Sequence, residues 1–586
     1  MATNATTEVR VTLDVPVRMR DGVELRANVY SPASGGPYPV LLTRLPYGKD
    51  FPLGTAVLDP VQAVRRGYIV VVQDVRGRFA SDGDWYPTHH EAEDGYDTVQ
   101  WAAQLPGSDG QVGMYGISYF GFTQLAAAWE DPPALKALFP IQTWADPFDG
   151  TSYRGGAFEL GLNAFWLLEV LGIDALMRRY RDDPQLGQRL SQLAQAINGF
   201  STGLYSYLPL DEFPPFRDLD IAPFWFDNLA HPMDRDLAAP GTAAAHYETI
   251  GAPAYLVAGW YDILLGGMLQ NYRGLRERGA TPEARQPRLM IGPWSHGAMG
   301  HVVGEQDFGF GSSGLLIDLK IDLASLQLRW FDYWLKGQQN GVMEEAPVKL
   351  FIMGENVWRD EQEWPLARTQ YTPYYLHSQG RANSLQGDGL LSTEPPTDEA
   401  PDLYIYDPND PVPTRGGALL MPPIYQPGPV DQRPIEQRGD VLVYSTPPLK
   451  QDVEVTGPIV VKLYAASSAP DTDFVARLVD VHPDGYAQNL TDGIIRARYR
   501  NGDKPELLEP GHVYEYTIDC WATGNLFRAG HRIRLDITSS SFPRWNRNPN
   551  TGGPLGAERE LQTATQTILH DAEHPSRVIL PIIPRS

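Results

Sequence analysis

A chain of 586 residues is too long for one compact core, and at about 150 residues per domain it divides into three or four units. Its formal net charge of −24, with no run of Lys or Arg, argues against nucleic acid and an anionic membrane surface as partners, since phosphate recognition needs clustered cations. The 42% hydrophobic and 20% charged shares are those of a soluble globular protein, and a single cysteine, Cys520, excludes a disulfide framework and a thiolate metal cluster.

Residues 1–17 include Glu8, Arg10 and Asp14 and no long apolar stretch, so no secretory signal is expected there. No window approaches the length of a membrane span, and the expected location is the cytoplasm. Residues 9–17 and 24–30 alternate like antiparallel strands, whereas 40–43, 69–73, 111–115 and 137–141 are short apolar runs suited to buried parallel strands. Helices are expected between them over 60–66, 94–104 and 119–129, the alternation of an α/β sheet.

From residue 146 to about 245 this alternation gives way to helical segments, among them 164–180 and 185–197, and to connections rich in Pro and aromatics. A helical insertion of this kind serves as a cap over a site. The sheet pattern resumes at 254–258 and 288–291, and Leu319, Leu323, Leu326, Trp330 and Trp334 mark one face of a long helix ending near Gly337. After Pro347, short strand-like runs separated by Gly, Pro, Asn and Asp dominate, with one candidate helix over 555–567, which is the pattern of a β-sandwich or jelly roll. Cys520 ends one of these runs, 513–520, and is expected to be a buried structural thiol. The expected division is therefore an α/β unit at 1–145 and 246–346, a helical insertion at 146–245 and a β-sandwich or jelly roll at 347–586.

The most informative segment is Gly116-Ile117-Ser118-Tyr119-Phe120-Gly121, a serine between glycines at a strand-to-helix turn. Such an elbow lifts a nucleophilic hydroxyl clear of the backbone, although the glycine here comes one residue later than in Gly-x-Ser-x-Gly. A serine needs an imidazole to take its proton and a carboxylate to orient that imidazole. In an α/β-hydrolase both come after later strands, in the order Ser, Asp, His. Gly259-Trp260-Tyr261-Asp262 and Gly292-Pro293-Trp294-Ser295-His296 supply them in that order. Taken singly, Asp262 could cap a helix and His296 could hold a loop, but their joint placement favours catalysis. An oxyanion needs at least two donors. One is the Tyr119 amide, directly after the serine. For the other, the loop 43–49 contains no His-Gly-Gly-Gly motif but does contain Tyr47, either a phenol donor or packing.

These segments, with Arg44-Leu45-Pro46-Tyr47, the stretch Gln73 to Gly83, Tyr406-Asp407-Pro408, Asp471-Thr472-Asp473-Phe474 and Asn548 to Gly553, resemble the bacterial cocaine esterase family over nearly the whole chain. These are serine hydrolases related to X-prolyl dipeptidyl peptidases and α-amino-acid ester hydrolases. The resemblance implies Ser118 as nucleophile, His296 as general base, Asp262 as its orienting acid, and Tyr47 and Tyr119 as the oxyanion hole. It implies three domains, an α/β-hydrolase, a helical cap over the site and a C-terminal jelly roll, and a small-molecule ester substrate; association into a homodimer is implied by the resemblance alone, and a triad mechanism of this kind needs no cofactor. Trp166, Leu264, Leu420 and Met421 match pocket positions. The positions of Leu264 and Met421 are ones for which the resemblance implies phenylalanine, so leucine and methionine predict an aliphatic acyl pocket.

Other residues carry less. His89-His90-Glu91 superficially resembles a ligand set, but no third ligand is obvious and no metal is expected. Asp471 and Asp473 read as calcium ligands or as a turn, and Arg76 and Asp82 as internal ion-pair partners. The reading is an ester hydrolase. An X-prolyl aminopeptidase or amino-acid ester acylase is the alternative within enzymes, and a carbohydrate-binding protein on a hydrolase scaffold is the alternative outside them.

Overall fold

The structure, a computed structural model, describes residues 8–585; the part of the expectation for 1–17 that falls on residues 1–7 lies outside them. Ten strands form the first sheet: β1 (Val9–Arg18), β2 (Glu24–Pro32), β3 (Tyr38–Leu45), β4 (Ile69–Asp74), β5 (Ser108–Ile117), β6 (Leu135–Ile141), β7 (Tyr255–Tyr261), β8 (Arg288–Ser295), β9 (Val348–Ile352) and β10 (Val357–Glu361). Their spatial order is β1-β2-β4-β3-β5-β6-β7-β8-β9-β10. From β4 to β9 neighbouring strands run parallel, and an antiparallel strand or pair closes each edge. Strands β4, β7 and β8 are buried along their whole length, as strands covered on both faces must be, and this is why they read as continuous apolar runs.

The helix Tyr119–Trp129, buried throughout, packs behind β5, and the helix Leu323–Lys336 closes the other face, where the Trp330 indole N–H donates to the Leu138 carbonyl at 3.1 Å. Leu319 precedes this last helix and is exposed rather than part of its buried face. A larger difference concerns 348–361. The turn-punctuated pattern of these residues predicts sandwich strands, but Val348–Ile352 pairs parallel with β8, so the first sheet continues past the expected division at 346.

Between β6 and β7 the chain is helical and irregular. The expected single helix over 164–180 is in fact Leu160–Phe165, one π turn at Trp166–Val170, and Gly172–Arg179. Its core is aromatic, with Phe158, Phe213, Phe216 and Trp225 packed together, and Met421 and Tyr499 from the C-terminal part join it. Buried polar contacts fasten it to that part: the Trp545 indole donates to Glu159 Oε1 at 2.8 Å, and the Gly161 amide to the Arg544 carbonyl at 2.9 Å.

The C-terminal part is an 11-stranded, largely antiparallel β structure. The candidate helix over 555–567 is not formed; Ala564–Leu569 is instead a strand paired with Asp402–Tyr406 and Val453–Ser467. Cys520 lies inside the strand Tyr514–Phe527, fully buried, where burial pushes its thiol pKa up and keeps it unreactive. Asp471 and Asp473 pair with Arg498 and Arg496, and the Asn548 amide donates to both at 2.9 Å. Arg76 does not pair with Asp82: it reaches Asp94 at 2.6 Å on the helix Glu91–Ala103 and Asp21 at 2.7 Å in the β1–β2 turn. Among the described residues no single helix is long and apolar enough to cross a membrane.

Candidate active site

At the carboxyl end of β5 the chain turns into the helix Tyr119–Trp129 through Ser118, whose φ of 58° and ψ of −126° lie where residues with a side chain rarely sit. Such a conformation costs on the order of 1–3 kcal/mol and persists only where the surroundings over-determine it. Here they do. The Ser118 amide donates to the carbonyls of Ile141, the last residue of β6, and of Gln142 just after it, while its own carbonyl accepts from the amides of Gly121 and Phe122 and the hydroxyl of Thr143. The glycines leave the room. A Cβ on Gly116 would stand 2.3 Å from the Phe120 ring, and one on Gly121 would stand 2.8 Å from Thr143 Cβ. The late glycine of the motif is thus explained: position 121 is where the helix crosses β6.

Strands β7 and β8 run parallel in register, Arg288 opposite Tyr255 and Gly292 opposite Gly259, so the segments leaving their carboxyl ends emerge side by side. Asp262 comes directly after β7 and His296 directly after β8. Asp262 Oδ2 lies 2.9 Å from His296 Nδ1, with the carboxylate fully buried, while Oδ1 accepts the Leu264 amide at 2.6 Å. The local turn and the contact to histidine therefore use different oxygens of one carboxylate. Holding Nδ1 as the protonated nitrogen leaves Nε2 as a lone-pair base. A residue that sequence patterns did not single out supports this loop: Gln142 donates to the Ser295 carbonyl at 3.0 Å and accepts from the Gly297 amide at 2.8 Å, bracketing His296 on both sides.

Tyr47, in the loop after β3, receives the Trp166 indole N–H on its hydroxyl oxygen at 3.1 Å. An indole nitrogen can only donate, so the phenol proton stays free for another acceptor. Burial pushes the phenol pKa up to about 12, against partial opposition from hydrogen bonds with Trp166 and Ser118, so it remains a neutral donor at ordinary pH. Tyr119 stands at the first position of its helix, where a backbone N–H has no carbonyl one turn back to receive it. Its side chain is anchored: the hydroxyl donates to Glu91 Oε1 at 2.9 Å and accepts the Thr88 amide at 2.9 Å. Burial holds the Tyr119 phenol well above its usual pKa and also raises the Glu91 carboxyl, although Arg44 lies 3.1 Å from the latter.

Tyr47, Ser118, Tyr119, Trp166, Leu264, His296 and Leu420 line one cavity of about 130 Å³. That is close to the roughly 150 Å³ known to admit benzene. Asp262 lies behind His296. Met421 departs from expectation. It is buried beneath the wall, with its sulfur against Gly161, and does not face the cavity. Its place is explained by Gly161, which lets the helix Leu160–Phe165 sit directly on it. The cavity also takes its wall from Tyr86 to His89 and from the cap residues Phe224, His231 and Asp234, which come together only in the fold. His89 packs edge-on against Tyr86 while Glu91 points to Tyr119 and Arg44, so the two do not converge.

Comparison with known proteins agrees with this architecture. Residues 21–298 match the X-Pro dipeptidyl-peptidase (S15 family), and residues 340–579 match the X-Pro dipeptidyl-peptidase C-terminal non-catalytic domain. The chain is 40% identical over 584 residues to cocaine esterase of Rhodococcus sp. (strain MB1 Bresler), covering 98% of this chain and 99% of that one. It is 26% identical to a putative serine esterase of Mycobacterium bovis, covering 97% and 94% of the two chains. Among solved structures, an aminopeptidase from a marine-sediment Thaumarchaeota archaeon matches with a TM-score of 0.80 at 26% identity, covering 99% of this chain and 97% of that one. An α-amino acid ester hydrolase matches in fold with a TM-score of 0.82 at 24% identity, covering 99% and 98%. The chain belongs to the S15 and cocaine esterase family of serine hydrolases.

Proposed function

We propose that this serine hydrolase is a carboxylic-ester hydrolase that works through Ser118, His296 and Asp262 on esters with small apolar acyl groups. The observation that carries the reading is that three separate strand ends meet at one cavity: a strained Ser118 and His296 both line it, and His296 is held by a 2.9 Å contact to Asp262. In this reading His296 Nε2 takes the Ser118 proton as Oγ attacks the ester carbonyl. The oxyanion forms against the Tyr47 hydroxyl and the Tyr119 amide, donors that need no reorganisation because Trp166 and Glu91 already hold the two tyrosines. His296 returns the proton to the leaving alcohol, and water repeats the sequence on the acyl-serine. No step calls for a cofactor.

The acyl group would rest against Leu264, Leu420 and Trp166. We assign catalysis to the α/β unit, coverage of the cavity to the cap over 146–245, and scaffolding to the β domain; solution in the cytoplasm, as a monomer or homodimer, is part of the same proposal. A second reading, cleavage of amino-acid esters or X-prolyl amides, draws support from Asp234, a carboxylate on the cavity wall that could meet an ammonium group. Rates on p-nitrophenyl acetate and butyrate against a prolyl dipeptide p-nitroanilide separate the two. The ester reading requires kcat/KM to be larger for the simple esters, and a preference for the dipeptide amide would overturn it.

A further inference from the structure

Asp480 near the end of the strand Asp473–Val481, His482 in the turn after it, and His531 just before the strand Arg532–Thr538 bring three metal-ligating side chains together in the β domain. One donor atom from each lies within 4.8 Å of the other two. We propose that these three residues hold one divalent transition-metal ion, zinc in preference to magnesium or calcium, as a structural site joining two turns of the β domain.

The donor set is the first reason. Two imidazole nitrogens and one carboxylate oxygen suit zinc and its neighbours, whereas magnesium and calcium call for oxygen throughout. The second is charge. Asp480 is 2% exposed, yet among the described residues no arginine or lysine lies within ion-pair distance of it. The nearby cations are turned elsewhere, Arg528 to the Gly354 carbonyl and Arg532 to the Thr446 carbonyl. A divalent ion would give this carboxylate a permanent positive charge where its partners are the His531 imidazole and the Asn525 amide.

Geometry gives the third reason. His531 Nδ1 lies 2.8 Å from Asp480 Oδ1, and the His482 and His531 rings stand 4.5 Å apart, centroid to centroid. The two imidazoles therefore stand close enough to offer one nitrogen each to a single ion. The Asn525 amide donates to the other Asp480 oxygen at 3.1 Å, the kind of outer contact that orients a ligating carboxylate. Both turns are already ordered: the His482 amide is bonded to the Tyr486 carbonyl and the Leu449 amide to the His531 carbonyl, each at 2.8 Å. Both histidines are half-buried, which leaves a path for the ion and room for a water as fourth ligand. Binding through Nδ1 moves the His531 proton to Nε2 by way of solvent: the Nδ1–H bond breaks, an Nε2–H bond forms, and nothing is oxidised.

The test is calorimetric titration of the metal-free full chain with ZnCl2, with MgCl2 as comparison, alongside thermal unfolding with and without zinc. His482→Ala, in a turn at the surface, is the principal variant, and His531→Ala and Asn525→Leu accompany it. The expected result is one zinc per chain, a higher Tm with zinc and none with magnesium, binding at least about tenfold weaker in each variant, and unchanged ester turnover in all. Should His531→Ala not fold, His482→Ala decides alone. Absence of stoichiometric zinc binding in the wild type, or zinc affinity unchanged in His482→Ala, overturns the proposal, the latter by showing that the ion sits on other histidines.

Discussion

Replacing Tyr47 by phenylalanine removes one oxygen from beside Ser118 and leaves the ring, with its edge contact to Phe120, in place. If that oxygen is an oxyanion donor, its loss should cost about 2.7–4 kcal/mol in the transition state, a fall of about 10²–10³ in kcat. The same change strands the Trp166 indole N–H that now donates to Tyr47 at 3.1 Å. Because Trp166 is only half-buried, water can take over part of that bond, and the stability cost should be about 1 kcal/mol. The two effects separate cleanly: kcat and kcat/KM fall together while KM moves little, as for a contact made only in the transition state. Trp166→Phe gives the intermediate case, since it loses one orienting hydrogen bond of about 1 kcal/mol, or about fivefold in rate. The assay is steady-state hydrolysis of p-nitrophenyl acetate, with urea unfolding to show that each variant is folded. A Tyr47→Phe enzyme whose kcat stays within about threefold of wild type, or whose loss is confined to KM, refutes the role given to this phenol.

Three further outcomes are expected. Gly116→Ala places a Cβ 2.3 Å from the Phe120 ring and 2.5 Å from its carbonyl oxygen, at a φ of 149°; both stability and turnover should fall, by about 1–3 kcal/mol or more in the unfolding free energy, and wild-type values in both would contradict the elbow's packing. If the cavity holds the acyl group, Leu264→Phe gives it an aromatic face and should raise the benzoyl-to-acetyl ratio of kcat/KM by about tenfold, whereas an unchanged ratio would remove Leu264 from the acyl wall. His570 is buried, which lowers its pKa, but the hydrogen bond and charge of Asp402 at 2.9 Å, with Glu399 beyond, leave it raised above 6.5. Its contribution to stability is therefore complete below pH 6.5 and lost as pH climbs through the higher native value. Urea unfolding should show wild type weakening over that rise and His570→Gln lacking this component; parallel curves would exclude it.

The candidate catalytic residues were legible because they lie at the ends of buried parallel strands, and those announce themselves as short apolar runs with the polar residue immediately after. Asp262 and His296 could be placed side by side in this way without a structure. Pairing across distance was beyond the reach of sequence. Arg76 finds Asp94 and Asp21 instead of the neighbouring Asp82, because a helix and a turn close over it. Val348–Ile352 looks like any sandwich strand until β8 takes it as a partner, and 564–569 forms a strand because two others flank it. The cavity wall from Tyr86 to His89 and the supporting role of Gln142 obey no local pattern, and Met421 is held off the cavity by a helix that Gly161 allows to settle on it.

The central claim is that Ser118 carries the acyl group. Incubating the enzyme with an organophosphate or a slowly deacylating ester, then mapping the added mass by peptide mass spectrometry, tests it most directly. The expected result is one adduct per chain, on Ser118, with pre-steady-state burst release of alcohol, and neither adduct nor turnover in Ser118→Ala. An adduct on another residue, or a Ser118→Ala enzyme that still hydrolyses the ester, would contradict it.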